Sequence, residues 1–328
     1  MINKDIINLT KDSKNLLAFS AGVDSSALFF LLLEKNIDFD IAIVNYNIRE
    51  EAKNELAYAK ELAKKYNKKI YTKVAPKITK NFEASAREFR YNFFNEIIKQ
   101  YQYQNLFTAH QLNDKIEWLL MRLSKGAGTN TLVGMQTIQK LDNYNIIRPL
   151  LKITKDELLE YLNNKGYLYF IDKSNFEKKY ERNRFRPIAN TLLKDNKDGL
   201  IKSFDFLKND SNILNNGYKL KFKAKDLRII ELNSIEYAPY ALNYYLKELK
   251  YLPSYKEQLL IKQKHSIVIG RKWAIEIIDN LLYIAPYINA TLPKDIKENF
   301  RKLKIPPKIR PYIFINNIKP KFCNKNLD

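Results

Sequence analysis

The first 110 residues alternate short apolar runs with segments whose apolar residues recur at helical spacing. Short continuous apolar runs predict buried strands, and repeats every three or four residues predict helices. Strands are predicted at 16–19, 39–44, 69–74 and 106–109, and helices at 25–34, 51–66 and 83–100. This alternation predicts an α/β fold with a doubly wound, mostly parallel sheet, which binds ligands at the carboxyl ends of its strands.

Beyond residue 130 the pattern changes to longer helices and a second set of strands. A strand is predicted at 146–151 and a helix at 155–165, which Gly166 ends. Pro187 is predicted to open a long helix that runs to 214 and is interrupted at 196–199. The last segment predicts a smaller α+β domain, with a helix at 237–249 and strands at 266–269, 274–278 and 281–284. The predicted division is a catalytic domain with a helical extension at 1–190, a connecting helix at 191–216 and a C-terminal domain at 217–328.

Length and composition narrow the class of protein. A chain of 328 residues is long enough for two or three domains. No apolar run is long enough to span a bilayer, and the N-terminus lacks the pattern of a signal peptide. The one cysteine, Cys323, excludes an internal disulfide framework and a cysteine-built zinc site. The sequence therefore predicts a cytoplasmic protein without a membrane partner, in which Cys323, His265, Trp118 and Trp273 are structural.

The net charge of +21 is unevenly distributed. Residues 1–130 carry 20 basic and 15 acidic side chains, whereas residues 131–328 carry 37 basic and 21 acidic ones. Such a concentration of positive charge indicates a polyanionic partner. Nucleic acid is favoured over a membrane surface because no isolated basic amphipathic helix stands out.

A turn of small residues follows the first predicted strand and leads into a helix. Small side chains allow a tight bend, after which the amides at the helix start favour an anion. The turn lacks the two better-known phosphate-binding patterns. A structural turn is the alternative, and alanine at position 21 is strained there if its φ is positive. The candidate phosphate contacts are Ser20, Ala21, Gly22, Val23, Asp24, Ser25 and Ser26, and Asp24 could also hold Mg²⁺ or orient the loop.

His110, Asp114 and Glu117 follow the fourth predicted strand at a spacing of four and three residues. This spacing places all three on one face of a helix that begins at the edge where the phosphate turn opens. Two carboxylates there could bind a cationic amine, and the histidine could meet a phosphate or a leaving group. A solvated polar face over buried apolar residues and a metal site are the alternatives.

Two groups of arginines are candidate anion contacts. Arg87 and Arg90 lie three residues apart on the helix at 83–100 and could contact ATP phosphates or RNA. An ion pair with Glu83 is the structural alternative. The second group follows Asp172-Lys173-Ser174-Asn175 and consists of Arg182, Arg184 and Arg186, which could contact an RNA backbone or fasten a loop.

The turn S-A-G-V-D-S resembles the S-G-G-x-D-S loop of the PP-loop ATP pyrophosphatases, and the order of the motifs resembles the tRNA(Ile)-lysidine synthetases. Matching segments are E-A-S-A-R-E-F-R-Y at 83–91, the histidine and two carboxylates at 110–117, R-P-L-L at 148–151 and the arginine-rich stretch at 172–186. The resemblance covers about residues 14–190. Three residues depart from the family pattern: Ala21 replaces Gly, Asn113 replaces the first Asp of a pair, and Trp118 replaces Thr.

The resemblance implies a ligase that uses ATP and Mg²⁺. ATP would adenylate the C2 oxygen of the wobble cytidine in tRNA(Ile) with a CAU anticodon, and free L-lysine would then displace AMP to give lysidine. The implied ATP site is the turn at 20–26 with Asn45 and Arg49, and the implied catalytic residues are Asp24, Arg90 and His110. By the same resemblance Asp114 and Glu117 would bind lysine, and Arg87, Arg182, Arg184 and Arg186 would bind tRNA.

Other functions of the same class make different demands on the sequence. A tRNA thiolase would need cysteines for sulfur transfer or a cluster, and the single Cys323 argues against it. An amidating enzyme that acts on a small molecule would leave the basic C-terminal half unexplained. A protein that binds tRNA without catalysis also stays open, and the oligomeric state, including a homodimer, is undetermined.

Overall fold

The computed structural model describes residues 2–46, 51–78, 82–171 and 181–319. The chain forms two compact units, one from Met1–Arg122 and Gly134–Ile201 and the other from Leu123–Val133 and Lys202–Asp328. The boundary at residue 201 lies within the segment predicted to connect two domains.

The first unit contains the predicted parallel sheet. The elements up to residue 165, all in the first unit except α6, are α1 (Lys4–Thr10), β1 (Asn15–Phe19), α2 (Val23–Glu34), β2 (Asp40–Asn45), α3 (Glu51–Lys65), β3 (Ile70–Val74), α4 (Phe82–Tyr101), β4 (Asn105–Phe107), α5 (Leu112–Leu123), α6 (Thr129–Leu132), β5 (Ile138–Lys140), β6 (Asn145–Ile147) and α7 (Lys155–Lys165). The strand order is β3-β2-β1-β4-β6-β5, and only β5 runs antiparallel to its neighbour. The doubly wound, mostly parallel sheet is therefore confirmed.

Both faces of this sheet are covered by helices because its strands are apolar on both sides. Leu17 of β1 packs in one buried cluster with Phe29 of α2. Its neighbour Leu16 points to the opposite face, in a cluster with Phe93 and Ile97 of α4. Alternate residues of one strand thus fill two separate cores.

An asparagine ladder crosses three adjacent strands at their amino ends. Asn15, Asn105 and Asn145 face one another in the register of β1, β4 and β6. The side-chain amide of Asn105 donates to Asn15 Oδ1 (2.9 Å), and that of Asn145 donates to Asn105 Oδ1 (2.9 Å). Asn15 in turn donates to the carbonyl of Thr10 (2.9 Å). Because these amides bond only in register, the ladder fixes how the three strands align.

The second unit is built on an antiparallel sheet. Its elements are α6, the C-terminal part of α8 (Glu181–Asn215), β7 (Tyr218–Ala224), β8 (Leu227–Leu232), a 3₁₀ turn (Ile235–Tyr237), α9 (Ala238–Glu248), α10 (Tyr255–Gln263), β9 (Ser266–Ile269), β10 (Trp273–Ile278), β11 (Leu281–Pro286), α11 (Lys294–Lys302) and α12 (Arg310–Ile315). The strand order is β7-β8-β11-β10-β9. Leu242 of α9 packs against Ile284 on one face, and Phe300 of α11 packs with Tyr283 on the other. The smaller α+β domain is confirmed, and Trp273 is a buried core residue as predicted.

The long helix α8 differs from its prediction at one end. Pro187 was expected to open the helix, but it lies inside α8, which is already helical at Glu181. A proline removes one backbone hydrogen bond, and burial of Ala189 and Leu193 stabilises this stretch nonetheless. The predicted interruption is confirmed, because Asn196 has non-helical φ and ψ. Among the described residues, no helix is both long and apolar enough to cross a membrane.

Candidate active site

The phosphate turn joins β1 to α2 and is held open by hydroxyl groups. The amide of Ser20 donates to Ser25 Oγ (3.2 Å), and that hydroxyl donates to the carbonyl of Gly22 (3.2 Å). Gly22 is the N-cap of α2, and its backbone is extended. Because glycine has no side chain, nothing at this position caps the first amides of the helix. Ser25 is buried and Ser20 is exposed. The turn therefore presents the positive end of the α2 dipole without a side-chain cap.

Ala21 occupies a backbone conformation that favours glycine. Its φ is 57°, in the left-handed region, and its methyl group is fully buried. Its carbonyl accepts a hydrogen bond from the amide of Phe170 (2.9 Å), which holds the peptide in this orientation. A non-glycine residue in this region costs about 1–2 kcal/mol. From the sequence, strain was expected at Ala21 if its φ were positive, and φ is positive here.

Asp24 lies in the first turn of α2 with little solvent around its carboxyl group. Burial and the nearby charge of Asp114 raise the pKa of Asp24 to about 7, while Lys155, Arg182 and Arg186 favour its ionised form. Its Oδ1 atom is buried and has no hydrogen-bond partner among the described residues. Two neighbouring carboxylates suit a hard divalent cation such as Mg²⁺. No cluster of three or more protein ligands for a metal occurs in the described part of the chain, so phosphate oxygens of a ligand would have to complete the coordination.

His110 follows β4 and stands at the entry to α5. Its Nδ1 lies 3.0 Å from the hydroxyl of Thr108 in a hydrogen bond. Burial lowers the pKa of His110 to about 4; Asp114 opposes this shift, and the charges of Arg148, Arg87 and Arg182 add to it. The imidazole is therefore neutral near pH 7 and can accept a proton.

Asp114 and Glu117 are already paired with arginines in this structure. Arg182 donates from its guanidinium to both carboxylates, and Arg186 Nε lies 3.2 Å from Glu117 Oε1. The side chain of Glu117 is 2% exposed, so its charge depends on these partners. Although burial disfavours the charge of Arg182, Asp114 and Glu117 raise the pKa of its guanidinium. The structure thus brings together residues that the sequence assigned to two different ligands, lysine and tRNA.

Asn113, one of the three departures from the family pattern, has a structural role here. Its side chain is buried and donates from Nδ2 to Asn190 Oδ1 (2.8 Å). Its Oδ1 accepts from the backbone amide of Lys155 (3.0 Å). One neutral amide therefore joins α5 to both α7 and α8.

The remaining predicted site residues that the structure describes lie on α2, α4 and α8 and at the end of β2. Arg87 is exposed and its guanidinium lies over the ring of Tyr91, 4.8 Å from the ring centre. Arg90 lies close enough to Tyr46 to oppose the burial that raises the pKa of that phenol. Asn45 ends β2, Val23 is buried at the start of α2, and Ser26 is fully buried with its hydroxyl lacking a partner among the described residues. Arg184 is exposed on α8, and Arg49 and the segment 172–180 fall outside the described residues.

Two cations of the site carried no role in the sequence analysis. Arg148 is buried and donates to the carbonyl of Gln136 (3.0 Å) and to Gln139 Oε1 (2.9 Å), while its charge acts on His110. Lys155 begins α7, and its charge acts on Asp24. The signal for Arg148 was present in R-P-L-L, which matched the family without a role. The signal for Lys155 was a cation at the first position of a predicted helix, where the dipole disfavours it.

Comparison with known proteins first gives the class. The family model described as a PP-loop domain matches residues 2–192, and the loop, sheet order and helix start define the first unit as a PP-loop ATP-binding domain. The solved structure of a U34-tRNA thiolase from Methanococcus maripaludis is similar in fold, with a TM-score of 0.53 and 18% identity over 63% of this chain and 75% of that one.

Relatives of nearly equal length give the particular family. A tRNA(Ile)-lysidine synthase from Wolinella succinogenes is 43% identical over 318 residues, covering 94% of this chain and 95% of the relative. The enzymes of that name from Helicobacter pylori and Campylobacter jejuni are 41% and 40% identical, over 94% and 97% of this chain and 92% and 97% of their own lengths. The chain belongs to the tRNA(Ile)-lysidine synthase family, and the similarity extends through both units.

Proposed function

We propose that the protein converts the wobble cytidine of an isoleucine tRNA with a CAU anticodon into lysidine, using ATP and free L-lysine. The observation that carries the proposal is the meeting of Asp24, His110 and Asp114 beside an uncapped helix start. An anion site, a neutral base and an acidic pocket are what a reaction of ATP with a cationic amine requires. The near full-length similarity to enzymes named tRNA(Ile)-lysidine synthase supports this substrate set.

The first step is adenylation of the base. The cytidine C2 oxygen forms a bond to the α-phosphorus of ATP, and the bond from that phosphorus to the bridging oxygen breaks. Pyrophosphate leaves with the electron pair of that bond, held by the first amides of α2 and by Ser20. Mg²⁺, held by Asp24 together with phosphate oxygens, would neutralise the charge that develops on the leaving group. Arg90, on α4, adds a cation beside the end of β2, where Asn45 would contact the nucleoside.

The second step joins lysine to the activated base. Asp114 and Glu117 would bind the amino groups of lysine, which carry the same charge as the guanidinium that they hold in this structure. Arg182 must therefore leave the carboxylates, at least in part, when lysine binds. The neutral imidazole of His110 can accept the proton that the ε-ammonium must lose first. The free ε-amine then forms a bond to C2, the bond from C2 to the adenylate oxygen breaks, and AMP leaves with its electron pair, while the second proton of the new C–N group passes to solvent.

The tRNA would be held mainly through its phosphates. Arg87 and Arg184 are exposed and available for such contacts. Residues 202–328, which form most of the second unit, carry 24 basic and 12 acidic side chains, which supports a role of this unit in binding tRNA. Arg182 and Arg186 could turn from the carboxylates to the RNA backbone, so that tRNA binding would open the lysine site. The proposed location is the cytoplasm, where both substrates occur, and a homodimer is one proposed assembly.

Incubation with ATP, Mg²⁺, labelled lysine and an isoleucine tRNA transcript tests the reaction. We expect label in acid-precipitable RNA with a CAU anticodon and none when the wobble C is changed to U. Glu117→Gln should raise the KM for lysine at least tenfold and leave the KM for ATP within about twofold, because it removes one charged partner of the amine. Pyrophosphate release that depends on tRNA without labelling would show that the nucleophile is not lysine. Equal labelling of both transcripts would contradict the proposed target base.

A further inference from the structure

Lys155 stands at the first position of α7, where a positive charge does not help the helix. The start of α7 is fixed by a capping box in which Thr154 accepts from the amide of Glu157 (3.3 Å) and Glu157 accepts from the amide of Thr154 (2.8 Å). The dipole places partial positive charge at this end and disfavours a cation there. The side-chain charge of Lys155 is thus unnecessary for forming the helix.

The backbone of Lys155 is fixed next to the candidate active site. Its amide donates to Asn113 Oδ1 (3.0 Å), and Asn113 directly precedes Asp114 on α5. Two residues before Lys155, the carbonyl of Ile153 accepts from the amide of Leu112 (2.9 Å). These two bonds tie the start of α7 to the start of α5 at the carboxyl edge of the sheet.

The side chain of Lys155 acts on the phosphate turn. It is half-buried. Helices α2 and α7 pack together, and Lys165 in the last turn of α7 pairs with Glu34 at the end of α2 (3.4 Å). The opposite ends of the two helices, with Lys155 and Asp24, therefore lie on the same side, and the charge of Lys155 favours the ionised carboxylate of Asp24. In the part of the chain that the structure describes, no carboxylate lies within ion-pair distance of Lys155. Lys155 therefore places a positive charge near the start of α2, and this charge has capacity for an anionic partner.

We propose that Lys155 binds the pyrophosphate portion of ATP and remains with it as it leaves. This inference rests on the proposed function, since it names a ligand of the same site. The first amides of α2 and the ammonium of Lys155 would contact the phosphates from two different helices. Lysine at this position supplies a mobile point charge, which suits a group that moves away from the α-phosphorus during the reaction. The carboxylate of the substrate lysine is the competing anion, and the experiment separates the two.

Binding of pyrophosphate and of AMP, each with Mg²⁺, would be measured by calorimetry on the full chain. Lys155→Met is expected to weaken pyrophosphate binding about 10- to 100-fold, the size of one charge-assisted contact, and to change AMP binding less than about threefold. Lys155→Arg should restore most of the affinity. Lys165→Met is the matched control on the same helix, because Lys165 pairs with Glu34 at the far end of α7 (3.4 Å), and it should bind pyrophosphate as the unaltered protein does.

Three outcomes would overturn the inference. Unchanged pyrophosphate binding in Lys155→Met would exclude the contact. Equal loss of pyrophosphate and AMP in a variant that unfolds at the same temperature as the unaltered protein would show that Lys155 does not act on the pyrophosphate portion. A raised KM for lysine with unchanged pyrophosphate binding would assign Lys155 to the substrate carboxylate. Failure of the unaltered protein to form lysidine would overturn the proposed function alone, because the binding measurements need neither tRNA nor lysine.

Discussion

Arg182 of α8 donates from Nε to Glu117 of α5, a carboxylate that is 2% exposed and 65 residues away in the sequence. The same guanidinium donates to Asp114, one helical turn earlier. A carboxylate so deeply buried needs a counter-charge to stay ionised. The acidic pair of the candidate site is therefore stabilised by a cation of the same chain, which a substrate amine would replace in the proposed function.

Removal of Arg182 should destabilise the first unit. Arg182→Ala is expected to lower the free energy of unfolding by about 2–3 kcal/mol, because Asp114 loses its ion-pair partner and Glu117 loses one of its two arginines among the described residues. Arg184→Ala is the matched control, since Arg184 is exposed two residues away, and it should change stability by less than about 0.5 kcal/mol. Urea denaturation of both variants measures the difference. Equal effects of the two substitutions would show that the buried ion pairs are not stabilising.

His110 should make the protein less stable as the pH falls below neutrality. Its pKa is lowered from 6.5 to about 4 in the folded protein, so the unfolded chain binds more protons between these values. Stability from this residue is complete above pH 6.5 and is lost as the pH falls toward 4, by roughly 1–2 kcal/mol between pH 7 and pH 5. His110→Asn should remove that part of the pH dependence. Because the chain has only two histidines, the variant also identifies the His110 ring signal in a proton NMR titration. A midpoint near pH 6.5 for that signal would contradict the lowered pKa of His110.

Two substitutions of Ala21 should separate the effects of backbone strain and of side-chain burial on stability. Ala21→Gly relieves a left-handed residue but removes a buried methyl group, and each effect is about 1 kcal/mol. The variant should therefore unfold within about 1 kcal/mol of the unaltered protein and keep its affinity for ATP. Ala21→Val adds a β-branched side chain to the same strained backbone and should cost more than about 2 kcal/mol. Thermal unfolding of the pair checks this, and a tolerated valine would show that φ is not positive at this position.

Asn113 and Asn190 should be energetically coupled. Asn190→Ala leaves the buried Nδ2 of Asn113 without its partner, which costs about 1–3 kcal/mol. Asn113→Ala removes the same hydrogen bond from the other side, where the amide of Asn190 is exposed to water. The double variant loses the pair once, so its destabilisation should be smaller than the sum of the two single effects by about 0.5–1.5 kcal/mol. A double-mutant cycle in urea measures the coupling energy. Strict additivity would mean that Asn113 acts only through the amide of Lys155.

Much of the first unit could be predicted because its signals are local. The apolar run at 16–19 and the small residues after it predicted β1 and the phosphate turn, and the strand-to-helix alternation predicted the parallel sheet. The capping box at Thr154 and the left-handed Gly166 gave α7 its observed bounds. The spacing of Asp114 and Glu117 predicted that they share a helix, and both lie on α5. His110 was predicted to lie on the same helix, but it precedes the first residue of α5, Leu112.

The rest depended on contacts between distant segments. The sequence position of Arg182 does not predict its pairing with Glu117, which lies 65 residues away, because the pairing depends on how α8 packs on α5. The role of Lys155 likewise appears only when α7 lies beside α2 and α5. Strands β7 and β8 were not predicted from the sequence. In β7 the alternating lysines of 218–224 resemble a solvated surface, and only its pairing with β8 shows that this segment is an edge strand.

The asparagine ladder of Asn15, Asn105 and Asn145 sets the alignment of the catalytic edge from the opposite side of the sheet. A slip of one residue would break both amide bonds and displace Thr108 and His110 by about 3.3 Å from the phosphate turn. Because the middle amide both gives and receives a bond, no single replacement at Asn105 preserves the set. We therefore expect related sequences to retain or replace the three asparagines together, although all three lie at the amino ends of their strands, opposite the candidate site.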